Sequence, residues 1–70
     1  MINKLKEMRE AKTITQEELA NKVGVTARTI ISLEKGQYKP SIMLAYKLSL
    51  FFELTIEELF MLKENLEELK

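Results

Sequence analysis

Thr15 to Gly36, TQEELANKVGVTARTIISLEKG, decides the fold, because it reads as two short helices meeting at a tight corner. Thr15 is placed to cap the first of them, and Glu18, three residues on, can reach back to close a capping box. Leu19, Ala20 and Val23 then share one apolar face. Gly24 follows where a helix must stop in left-handed backbone, which glycine adopts without steric cost. Val25 plugs the corner, Thr26 caps a second helix with Ile30 and Leu33 inward, and Gly36 stands where that helix should end. Ala20 matters by being small, since helices crossing steeply over so short a turn need a side chain that lets the backbones approach.

Outward from this stretch, the other apolar spacings are also three and four, never two. Ile2, Leu5, Met8 and Ala11 predict an amphipathic helix over 2–12. Gln37 to Pro40 is a loop, and Ser41 caps a fourth helix whose buried stripe is Leu44, Ala45, Leu48 and Phe52. Thr55 and Glu58 repeat the capping box, starting a fifth helix near Ile56 with Leu59 and Phe60 inward. The expectation is all-α, a compact five-helix domain without linker, repeat or low-complexity segment.

Seventy residues allow one domain. A chain of that length buries only about 60% of its unfolded surface, so modest stability or self-association is expected. The absence of Cys and His removes disulfides and the commonest general bases, nucleophiles and transition-metal ligands, and the carboxylates fall on solvated helix faces. Neither an enzyme nor a metal or other cofactor is expected, and no small-molecule ligand is suggested. No apolar run reaches the roughly 18 residues of a membrane span and no signal peptide is visible, which leaves the cytoplasm as the expected location.

The net charge is zero, but it is unevenly placed. Residues 1–47 hold nine Lys/Arg against five Asp/Glu, a balance of +4, and residues 48–70 hold two against six, a balance of −4. A molecule with one positive and one negative end is suited to meeting phosphate with the former.

Gln16-Glu17-Glu18-Leu19-Ala20, Gly24-Val25-Thr26, Ile30, Leu33-Glu34, Gly36 and Pro40-Ser41 together resemble the Cro and phage-repressor family of transcription regulators, more loosely from Leu5 to about Phe60. The resemblance implies a lambda-repressor-like helix-turn-helix fold and double-stranded DNA as partner. It also implies an ion pair, Arg9 with Glu34, between the first and third helices, and a Gln16 that contacts backbone phosphate and braces the reading helix. Glu53 departs from the family's frequent glycine after the fourth helix. Ala27 and Ile31 stand where the family often has longer polar residues.

At 100° per residue from Ile30, Arg28, Ser32 and Lys35 lie within about a 60° arc opposite the core. That arc is expected in the major groove, with Arg28 as principal base reader because its guanidinium fits the O6 and N7 acceptors of guanine. A solvated or phosphate-bound Arg28 is the plain alternative. Thr26, Ala27 and Ile31 flank the arc; Ile31 either touches a thymine methyl or packs on a helix neighbour. Gln16 lies at a helix N-terminus, where N–H groups favour phosphate, and Lys35, Tyr38, Lys39 and Ser41 surround the next loop as candidate phosphate contacts.

Met43, Tyr46 and Leu50, with Phe51, exceed what the fourth helix needs for its core, and Leu59, Leu62, Leu66 and Leu69 continue an a/d seam that carries the fifth helix toward Lys70. Residues 1–60 are therefore read as the helix-turn-helix domain and 61–70 as a helical extension that either folds back on the fourth helix or forms a homodimer. The dimer is favoured because one reading helix touches few base pairs. Repression of transcription from a palindromic operator is the resulting expectation. The alternative is a protein-interaction module that kept the fold and lost DNA binding, with Ala27 and Ile31 as signs of that loss.

Overall fold

Four of the six described helices begin directly after a Thr or Ser. The computed structural model describes residues 1–68, whose helices are α1 Leu5–Ala11, α2 Gln16–Val23, α3 Ala27–Glu34, α4 Ile42–Phe52, α5 Ile56–Leu59 and α6 Leu62–Glu68. Thr15, Thr26, Ser41 and Thr55 each accept a backbone N–H from three residues on, satisfying donors that a helix start leaves unpaired. At Thr15 and Thr55 the capping box is complete, for Glu18 and Glu58 accept the cap residues' own N–H at 2.8 and 3.0 Å. Those bonds from Thr15 and Thr55 favour the ionised form and hold both carboxyls below their ordinary value.

The helix ends are equally local in origin. Gly24 (φ 74) stops α2 in left-handed backbone, and Val25 N–H returns to Ala20 O at 3.0 Å, turning the corner into α3. Gly36 (φ 74) ends α3 in the same way, with its N–H on Leu33 O and that of Gln37 on Ser32 O, both 3.0 Å. Thr13, Glu53 and Met61 take left-handed backbone without being glycine, at φ 57, 56 and 49. At Glu53 the turn keeps the geometry glycine would give, with Leu54 N–H on Ser49 O at 3.0 Å, so the departure from the family costs strain and leaves the path unchanged. A side chain in this region costs about 1–2 kcal/mol, partly offset by the extra freedom glycine has when unfolded. Glu53→Gly is thus expected to raise stability by about 1 kcal/mol in urea denaturation, and an unchanged or lower midpoint would remove strain at this turn.

The core collects Leu5 from α1, Leu19, Ala20 and Val23 from α2, Ile30 and Leu33 from α3, Leu44, Ala45, Leu48 and Phe52 from α4, and Leu59 and Phe60. Ala20 is fully enclosed at the crossing of α2 and α3, as its size requires. Ser49, the buried polar residue of this set, bonds Tyr46 O at 2.7 Å. No buried side-chain N or O among the described residues lacks a partner.

The structure corrects four expectations. Ile2 and Ala11 are exposed, and α1 starts only at Leu5, because residues 1–3 run across the C-terminal end of α3 instead of coiling. Residues 56–68 form two helices, interrupted at Phe60 and Met61. The Asn65 amide occupies the carbonyls of both, at 2.8 and 3.0 Å, and Met61 takes positive φ. Leu59 is wholly buried and so belongs to the core alone, not to an outer seam. Phe51, counted as surplus, is half-buried against the core with Lys12 Nζ 5.6 Å from its ring centre. Leu69 lies outside the described residues. Among the described residues no helix is long and apolar enough to cross a membrane.

Candidate nucleic-acid interface

Two core residues fix the roll of α3. Ile30 and Leu33 are fully buried, which turns Arg28 and Lys35 outward into solvent and leaves Ser32, Ala27 and Ile31 half-buried along the same outer side. Thr26 is exposed, yet its hydroxyl is occupied: Oγ1 accepts Thr29 N–H at 3.4 Å and lies 3.3 Å from Thr29 Oγ1. Thr26 is therefore first a cap, with little hydrogen-bonding capacity left for a base edge.

The brace beneath this face is a carboxylate of α3 shared by a residue of α1 and a residue of α2. Glu34, at the C-terminal end of α3, accepts from Arg9 Nε at 2.6 Å and Arg9 Nη2 at 3.2 Å, while Arg9 Nη1 donates to Ile14 O at 2.8 Å. The side chains are only 12% and 4% exposed, so Arg9 is an internal group facing protein, not solvent. The hydrogen bond to Glu34 raises the Arg9 pKa above its ordinary value, against the opposing effect of burial. Gln16 joins the same carboxylate, its Nε2 donating to Glu34 Oε1 at 3.1 Å. Because a carboxylate only accepts, this bond also fixes which end of the amide faces inward. One Nε2 hydrogen remains for an outside acceptor.

Beyond α3 the chain passes over Gly36 into the loop that carries Tyr38, 43% exposed, and the exposed Lys39. Ser41 is exposed as well, but its Oγ accepts Leu44 N–H at 3.1 Å as the cap of α4. Lys35, Tyr38, Lys39 and Ser41 thus follow one another along the exposed chain from the end of α3 to the start of α4.

On another part of the surface, Met43, Tyr46 and Leu50 are exposed on α4, joined by Ile42 at 82% exposure. At 100° per residue these four fill about a 100° arc opposite the buried stripe. Leu62 and Leu66 of α6 are also exposed, and Leu62 shares a shallow groove with Lys39, Ile42, Ala45 and Phe60, which joins the Ile42 end of α4 to the start of α6.

Sequence reasoning missed Asn3 and Asn65. Asn3 Nδ2 donates to Leu33 O at 2.8 Å while its Oδ1 accepts Leu5 N–H at 2.9 Å, and Asn65 exchanges two bonds with the backbone of Ile2. An Asn shortly before an apolar run can be read as a helix-start signal. Asn65 follows Lys63 and Glu64 in the sequence, but at 100° per residue it falls between Met61 and Leu62 on the inward side of α6, and nothing local marks Ile2 as its partner.

Two capped helices meeting at a left-handed glycine, the second turning an arginine and a lysine outward, define a helix-turn-helix domain. The chain belongs to that family: the model described as helix-turn-helix matches residues 5–59, which places the protein among Cro- and phage-repressor-like transcriptional regulators. It is 48% identical over 65 residues to an uncharacterized HTH-type transcriptional regulator of Methanocaldococcus jannaschii, covering 93% of this chain and 98% of that protein. An uncharacterized HTH-type regulator of Bacillus subtilis is 44% identical over 65 residues, at 93% and 98% coverage. A transcriptional repressor of the cryptic phage CTXphi in Vibrio cholerae is 35% identical over 57 residues, 81% of this chain and 51% of that protein.

Proposed function

We propose that the protein is a sequence-specific repressor that binds a palindromic operator in double-stranded DNA as a homodimer, in the cytoplasm and without catalysis. The observation that carries this reading is the outer face of α3, where Arg28 and Lys35 stand in solvent while Gln16 is held beside them by Glu34. Arg28 reads a guanine; Ser32, Ala27 and Ile31 make the remaining groove contacts, Ile31 against a thymine methyl. Gln16, through its free amide hydrogen, and Lys35, Tyr38 and Lys39 hold backbone phosphate, with the N-terminal turn of α4 at Ser41 beside them. The positive balance of residues 1–47 draws this part of the chain to DNA, and the exposed Glu57, Glu58, Glu64 and Glu67 lie on the last two helices, outside the helix-turn-helix.

A lone α3 would read too few base pairs for an operator. The exposed α4 residues Ile42, Met43, Tyr46 and Leu50, together with Leu62 and Leu66, are the surface for a second copy, which would set half-sites roughly 34 to 36 Å apart. Repression follows from occupancy of DNA.

The test is selection from random duplex DNA, followed by anisotropy titration of the enriched sequence at increasing salt. A palindrome bound with a steep salt slope supports the reading. No enrichment by folded protein overturns it in favour of a protein-interaction module, for which the apolar α4 face would be the working surface. Arg28→Ala is expected to lose about 1–3 kcal/mol of discrimination at one position in each half-site. Unchanged selectivity in the same selection would remove Arg28 as the reader.

A further inference from the structure

The C-terminal end of α3 is held by a strap, residues 1–3, whose middle residue is fastened by α6. Asn3 Nδ2 donates to Leu33 O at 2.8 Å and the Met1 amino group donates to Gly36 O, also at 2.8 Å. These are the carbonyls around which α3 ends and the phosphate-facing loop begins. The strap lies so close that a Cβ on Gly36 would stand 2.6 Å from Met1 O, so the position needs glycine for space as well as for its φ of 74.

Between these two anchors, Asn65 exchanges a pair of hydrogen bonds with Ile2, whose N–H donates to Oδ1 at 3.1 Å and whose carbonyl accepts from Nδ2 at 2.8 Å. The same Nδ2 reaches Phe60 O at 2.8 Å and Met61 O at 3.0 Å, tying the strap to the break between α5 and α6. A run of directed bonds therefore leads from α6 through Ile2 and Asn3 to the end of α3. The strap, residues 1–3, and Asn65, which fastens it, lie outside the 5–59 span of the family match.

We infer that Asn65 and Asn3 are positioning residues for DNA binding: through the strap they set the end of α3 and hence the placing of Lys35, Tyr38 and Lys39 on phosphate. The inference rests on the DNA-binding reading above. Neither residue touches DNA. Their effect is on where the cations stand, so it is expected in the number of phosphates neutralised, which the salt slope counts and a smaller folded fraction leaves unchanged.

The experiment compares the full chain with Asn65→Ala and with Asn3→Ser, whose hydroxyl keeps an acceptor for Leu5 N–H but is too short to reach Leu33 O. A random-sequence duplex is the probe for anisotropy across a salt series, and amide hydrogen exchange is read at Gly36 and Gln37 in the DNA-free proteins. Loss of one phosphate contact makes the slope of log K against log salt shallower by about 1, with affinity down roughly tenfold. Faster exchange at Gly36 and Gln37 accompanies it. Folded variants with the wild-type slope and wild-type exchange overturn the inference. Should Asn65→Ala not fold, Asn3→Ser decides alone by the same two readouts. A wild-type chain that does not bind duplex refutes the DNA reading instead, and exchange at Gly36 and Gln37 then supports or overturns the strap by itself.

Discussion

Glu34→Ala is expected to remove a large share of the protein's stability. The substitution leaves the Arg9 guanidinium, 12% exposed, with only Ile14 O as partner, and removes the acceptor that holds Gln16. Breaking a buried pair by deleting one member costs about 3 to 5 kcal/mol, because the surviving charge keeps its desolvation and loses its compensation. The stability of a chain this size, at about 0.05–0.15 kcal/mol per residue, is roughly 4 to 10 kcal/mol, so the loss runs from about a third of it to the whole. Replacing both members, Arg9→Met with Glu34→Leu, is expected to recover most of that stability, since apolar groups of similar volume leave no stranded charge. Urea denaturation followed by far-UV circular dichroism distinguishes the cases. A single variant within about 0.5 kcal/mol of wild type, the size of an ordinary surface substitution, would show that Arg9 finds water on losing Glu34. The double variant also frees Gln16, so it should fold and still bind DNA less tightly at every sequence.

What the sequence disclosed, and what it did not, divides along a physical line. Helix starts and stops are local: a hydroxyl three residues before its N–H, a glycine in left-handed backbone, apolar residues three and four apart. The core set of α2, α3 and α4 follows from those spacings. Glu53 keeps a glycine-like turn because Phe52 must be buried on one side and Leu54 packed on the other, a tertiary demand that outweighs local preference. The break at Met61 had the same kind of cause. A heptad reading takes Leu59 and Leu62 as one seam, whereas Leu59 and Phe60 are both drawn into the core and Asn65 takes the carbonyls behind them. The outer face of α3 could be drawn by rotation from Ile30, but the bond from Gln16 to Glu34 and the strap of Met1 to Asn3 are polar contacts between distant positions, which no periodicity encodes.

That division alters how the C-terminal segment should be tested. Removing residues after Phe60 takes away Asn65 together with Leu62 and Leu66, so loss of binding by the truncated chain could not separate dimerisation from the strap. Point substitutions on the exposed side of each helix keep the two apart. On α4 the free arc of Ile42, Met43, Tyr46 and Leu50 is separate from the stripe that supports the core, and on α6 Leu66 is 59% exposed next to an Asn65 that faces the strap.

Leu50→Glu is accordingly expected to yield a folded monomer whose affinity for a full palindrome falls by a factor of about 10² to 10⁴, the advantage conferred when a second module binds from a tethered position. Leu50 is 59% exposed and absent from the core, so the charge should cost the isolated fold little. Across a two-fold axis each position meets its own counterpart or a neighbour of it, and a carboxylate introduced into so apolar a face is stripped of water on both subunits at once. Affinity for a half-site should remain that of the wild type, because α3 and its brace are untouched. Sedimentation reads the oligomer and anisotropy the two affinities. Leu66→Glu, with Asn65 in place, asks whether α6 shares the interface: an ordinary interface takes about 800 Å² from each partner, more than four exposed side chains of α4 offer, so both variants should dissociate the dimer. A wild-type chain that sediments as a monomer at concentrations where it saturates the palindrome would overturn the dimer, and a dimer that survives both substitutions would move it to another face.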